Sequence, residues 1–130
     1  MAFEILQTVV PAIAAAAGTT VEPIGEVPVR EAEGAFNVER VVVTTPTTVT
    51  GAATNTGTIN IRQMRAGSAV ATLASLALLA GTNLTAEIPA VLALTGVPTV
   101  VAGDLLEFQY VQIGTGLALP AGVKVGVELD

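Results

Sequence analysis

The chain has 130 residues, is 52% hydrophobic but only 3% aromatic, carries a formal net charge of −6, and contains no His, Cys or Trp. Those absences remove imidazole and thiolate chemistry, disulfides and the usual zinc ligand sets. The basic residues Arg30, Arg40, Arg62, Arg65 and Lys124 are dispersed, which excludes the cationic cluster that nucleic acid or an anionic membrane requires.

At the N-terminus, residues 3–17 are mostly apolar and end in an Ala run, but the start carries Glu4 and no Lys or Arg, and Gln7, Thr8 and Pro11 interrupt the stretch. A secretory leader needs a cationic start, so none is predicted. Pro11, Pro23 and Pro28, with Gly18 and Gly25, forbid a long helix or a central strand over residues 1–34. We read 1–34 as an extended N-terminal arm with one short helical turn near residues 13–17. Its apolar side chains Phe3, Ile5, Leu6, Val9, Val10 and Ile13 are the candidate contacts with the body, a neighbouring subunit or a partner. The β-domain is then 35–130.

That domain reads as short strands between turns. Residues 36–45 are β-rich, and 44–58 form a Thr, Ala, Asn and Gly loop with a short strand near Val49. Residues 58–64 alternate, with Ile59 and Ile61 on one face and Asn60 and Arg62 on the other. Residues 68–80 fit either a leucine-striped helix ending at Gly81 or a strand with Leu76 and Leu78 inward; the β-like flanks favour the strand. The solid apolar run is too short to cross a bilayer as a helix. Residues 87–94 predict a strand at an edge, because of Pro89. Residues 105–113 place Leu106, Phe108 and Tyr110 on one face, and 123–129 place Val123, Val125, Val127 and Leu129 inward. The spacing predicts an all-β fold, an antiparallel β-sandwich of jelly-roll type.

Chemistry-bearing residues are sparse. Ser68 and Ser75 have no evident base. Asp104 and Glu107, and Glu31 and Glu33, are the carboxylate pairs, but sugar-binding aromatics are few. We expect Asp104 to cap a turn and Glu107 to be solvated. Gly114-Thr115-Gly116 lacks the Lys-Ser/Thr of a phosphate loop, and no calcium loop is present. The sequon Asn83-Leu84-Thr85 is a common chance match. No cofactor, metal or catalytic residue is predicted. The hydrophobic excess instead points to subunit contacts.

Ala102-Gly103-Asp104-Leu105-Leu106-Glu107-Phe108, the run 111–120 with its Gly114-Thr115-Gly116 turn, Val123-Lys124-Val125 and the preceding residues 78–85 together resemble small β-sandwich virion proteins of tailed bacteriophages, in particular the capsid decoration (cement) proteins. The resemblance covers residues 36–130 and leaves the arm out. It implies a non-enzymatic protein on the capsid exterior, bound to the major capsid protein, stabilising the shell, and homo-oligomeric with a trimer favoured. The alternative is a tail or head-fibre component with a glycan- or host-binding role. No individual site residue carries over, since the resemblance rests on turns and strands.

Overall fold

The computed structural model describes residues 4–18, 20–21, 27–28, 35–96 and 98–130. The described strands are β1 Glu4–Val10, β2 Thr20–Val21, β3 Val27–Pro28, β4 Ala35–Thr44, β5 Thr56–Arg65, β6 Ser68–Leu78, β7 Ala90–Val91, β8 Ala93–Leu94, β9 Thr99–Val101, β10 Leu105–Ile113 and β11 Val123–Leu129. All their pairings are antiparallel. Sheet I runs β1-β11-β4-β7, with β9 on the same edge of β4; sheet II runs β2-β10-β5-β6-β8, with β3 on the same edge of β10. Only the β5–β6 hairpin and the β2–β3 step stay within one sheet. Every other connection crosses between sheets, which is the wiring of a jelly roll.

Period-two patterning builds the core. In β11, Val123, Val125, Val127 and Leu129 are buried, while Lys124 is exposed. They meet Val41 and Val43 of β4, and they share one core cluster with Ile59, Ile61, Leu106, Phe108 and Tyr110 of sheet II. Each such aliphatic side chain contributes about 1.5–3 kcal/mol when taken fully out of water. Gly57 lies under the Tyr110 ring: a Cβ there would meet the phenol oxygen at 1.8 Å. A glycine in a strand interior is thereby explained by close packing.

Residues 68–78 are a strand. Two register shifts against β5, near Leu73 and Val70, let Leu73 and Ala74 both turn inward. Beyond the shifts, residues 68–72 are exposed on both faces, so the hairpin tip stands clear of the sandwich. The strand expected over 87–94 is two short pieces. β7 pairs with β4 and β8 with β6, so the chain changes sheets between them, with Leu92 buried at the crossing.

The first part of the arm belongs to the sandwich. β1 pairs with β11 over its whole length, as the edge strand of sheet I. In place of a helical turn at 13–17, Ile13 forms a two-way bridge with Leu119, at 3.0 and 2.9 Å. Residues 22–26 and 29–34 lie outside the described residues.

Candidate assembly surface

The predicted contact residues divide sharply. Val10 is fully buried and Ile13 nearly so, both within the core cluster of this chain. They hold the arm to its own domain and offer no surface to a partner. Val9, with the opposite parity, is 54% exposed. Ile5 and Leu6 lie in β1, and Phe3 is outside the described residues.

The arm is pinned further along by Gln112, a buried side chain on β10. Its Oε1 accepts from Ala16 N at 3.2 Å and Leu117 N at 3.0 Å, and its Nε2 donates to Ala14 O at 3.2 Å. One amide therefore satisfies backbone groups from two connections. Tyr110, also buried, donates from its hydroxyl to Leu117 O at 2.7 Å, and burial pushes its pKa up to about 12.

These bonds belong to one end of the sandwich, the loop end. Val10, Thr44 and Val123 are neighbours in sheet I, and Ile113, Thr56 and Leu78 end their strands together in sheet II. The connections 11–18, 45–55, 79–89 and 114–122 interlock there. Val49 bridges Leu84, Gly51 N donates to Asn83 Oδ1 at 2.8 Å, Ala86 N donates to Thr48 Oγ1 at 3.0 Å, and Thr115 N donates to Asn55 Oδ1 at 3.0 Å. Gly51 is pressed so closely that a Cβ would meet Leu79 O at 2.0 Å and Thr82 O at 2.2 Å. The Asn83 sequon side chain is thus engaged in holding a loop.

Across all four connections Glu87 is the only charged residue. Lys124 stands one step inside β11, opposite Thr44, and Glu87 N bonds to the adjacent Thr45 O. Among the described residues, the end thus carries little charge on a protein of net charge −6. It exposes Leu79 (49%), Ile88 (58%) and Ile113 (58%). Sequence reading missed this surface because its parts come from four separated stretches. The available signal was that each of those stretches is nearly free of charge.

The opposite, hairpin end carries the ion pairs. Asp104, 1% exposed, accepts from Arg65 at 2.7 and 2.8 Å, from Gln63 Nε2 at 2.6 Å and from Val101 N at 2.9 Å. The hydrogen bond from Arg65 brings its pKa down to about 2 against the opposing pull of burial, with help from Val101 N and Gln63. The turn-capping role expected of Asp104 holds through Val101. Glu107 is not solvated as expected: it is buried, and Arg62 Nε donates to it at 2.7 Å across the β5–β10 pair. Beside it, Ser75 donates to Asn60 and Asn60 to Gln109. Arg40 pairs with Glu128 between β4 and β11.

A groove of ≈ 360 Å³ crosses the outer face of sheet I between Gln7, Val9, Val42, Thr44 and Lys124. Its floor is Gly126, where an added Cβ would find its nearest neighbour, Gln7 Cγ, at 4.0 Å. Packing alone therefore does not demand a glycine there.

The described carboxylates are tied into ion pairs or dispersed, and Ser75 is held by Asn60. Among the described residues no group of His, Cys, Asp or Glu could hold a metal. No protein-family model and no curated protein matches the sequence. Solved structures do match. The fold is similar to a chain in the structure of infectious bursal disease virus Gx strain, with TM-score 0.51 and 10% identity over 97% of this chain and 32% of that one. The Gt strain structure matches with TM-score 0.44 and 12% identity over 98% of this chain and 31% of that chain. This chain spans about a third of the length of those chains. The likeness to the Gx strain chain, at 10% identity, shows the fold alone: an antiparallel β-sandwich.

Proposed function

We propose that this chain is a non-enzymatic structural virion protein that binds the major capsid protein on the outer surface of a tailed-phage head and stabilises the shell. The observation that carries the reading is the fold: nearly the whole chain matches part of a chain in a virus structure. The ion-paired carboxylates and dispersed charges agree with binding by surface complementarity. The protein assembles as a homo-oligomer, a trimer by preference, through the outer face of sheet I. Gly126 supports that contact. A side chain would fit at this strand position and would be favoured by up to about 1 kcal/mol over glycine, so an open groove between Val9 and Val42 is better explained by a docked neighbour than by folding.

Quantitative mass spectrometry of purified source particles, scaled to the shell protein, tests the reading. Hundreds of copies per particle support lattice-wide decoration. A handful would move the chain to a tail or head-fibre position, and absence from particles would reject a virion role. Sedimentation of Gly126→Tyr tests the subunit contact: a shift to monomer supports it, and an unchanged oligomer rejects it.

A further inference from the structure

We propose that the loop end is the capsid-facing end, and that it docks on an uncharged protein surface of the shell while the ion-paired hairpin end points to solvent. This rests on the reading of the chain as a decoration protein and adds its orientation. The argument is the segregation of charge. Among the described residues, the four connections at the loop end carry Glu87 alone, whereas Arg62, Glu107, Arg65 and Asp104 gather toward the hairpin end. Burying unpaired charge is costly, so a neutral surface is the one an acidic protein can desolvate against a partner with least penalty.

The same end holds exposed apolar side chains in usable register. Ile113 stands opposite Thr56, and Leu79 follows Leu78, which stands opposite Gly57. The two flank Thr56 at two strand spacings, about 10 Å. The loops beneath them are rigid enough to present a surface, being cross-linked by Gly51–Asn83, Ala86–Thr48, Thr115–Asn55 and the Gln112 bonds. A preorganised surface loses little freedom on docking. In a cyclic oligomer built through the sheet I faces with the strands along the symmetry axis, all loop ends point the same way and form one composite base.

The experiment measures binding of the full chain to shells assembled from the source capsid protein alone. Ile113→Glu, Ile113→Lys and Leu79→Glu are compared with Val70→Glu, which alters a 51% exposed residue at the hairpin tip. All four change exposed side chains, and thermal melting checks that each stays folded. Docking through the loop end predicts that both charges at 113, and Leu79→Glu, weaken binding about tenfold or more, while Val70→Glu binds like the wild type. Wild-type affinity should change less than about twofold from low to high salt, because few charges are screened. Loss with Ile113→Glu but gain with Ile113→Lys would mean an acidic partner surface and overturn the proposal. Unchanged binding of the loop-end variants, or loss with Val70→Glu, would overturn the orientation. If these substitutions instead dissociate the free oligomer, the loop end contacts a second copy and the proposal fails. Wild-type protein that binds no shell in either salt would reject the decoration reading itself.

Discussion

The two ends of the sandwich are held by opposite means. At the hairpin end, long charged side chains reach across strands: Arg65 to Asp104, and Arg62 to Glu107. At the loop end, short neutral groups and backbone do the work, through Gln112, Asn55, Asn83 and Tyr110. The lesson is that a small domain can be secured at both ends while only one of them is left nearly free of charge. The neutral end is then available for contacts that charge would oppose.

The largest expected effect tests whether the arm is a part of the loop end. Removing residues 1–13 deletes β1 and takes Val10 and Ile13 from the core. We expect loss of cooperative unfolding by circular dichroism; a folded truncated chain would show that the arm is dispensable to the sandwich.

Next comes Gly51→Ala. The new Cβ would press on two backbone oxygens, which cannot swing aside as a side-chain tip can. A loss of about 3 kcal/mol in urea unfolding is expected. A change under about 1 kcal/mol would show that the loop end yields easily.

Gln112→Ala and Asp104→Ala then compare the two fastenings directly. Each strands partly buried partners, and each should cost about 1–3 kcal/mol. High salt should shrink the Asp104→Ala effect, since its main partner Arg65 is half exposed, and leave the Gln112→Ala effect unchanged.

Titration separates the ends without mutation. Asp104 has a depressed folded pKa, so its contribution is present above the ordinary value of 3.8 and is lost as pH falls toward about 2. Tyr110 has a raised folded pKa, so its contribution is present below 10.0 and is lost as pH rises toward about 12. Arg65→Gln should move acid unfolding to higher pH and leave alkaline unfolding in place. Tyr110→Phe should blunt alkaline unfolding and leave acid unfolding in place. If either variant shifts both limbs equally, the ends are not independent.

The smallest effect lies in the hairpin turn. Ala66 and Gly67 both have positive φ, at 52° and 81°, in a two-residue turn that favours Asn-Gly. Ala66→Asn should stabilise by up to about 1 kcal/mol, seen as a higher melting temperature. No gain would mean that the exposed tip contributes nothing to the folding equilibrium.

Strand positions were legible wherever one face met the core. β10 and β11 alternate because one side of each packs on the opposite sheet, and that constraint is written directly into Leu106, Phe108, Tyr110 and the valines from Val123 on. The strand choice for 68–78 followed from its β-like flanks, but its register shifts did not, because they depend on how β5 accommodates Leu73 and Ala74 together. The fate of the arm was half legible. Its prolines correctly barred a central strand, and β1 is at an edge. Parity then divided Val9 from Val10, and only the pairing with β11 determines which of them faces in.

The candidate surface was hidden for a different reason. A local reading found Asp104 as a turn cap, since the bonded Val101 N–H is close in sequence. It could not find the burial of Glu107, which depends on Arg62 across a strand pair. Composition and periodicity by themselves determined an all-β, acidic chain with an aliphatic core, poor in catalytic groups, because burial and hydrogen-bonding capacity are properties of the residues. Tertiary structure alone decided that four nearly charge-free connections meet at one end, because their proximity arises from strand pairings between residues far apart in the chain.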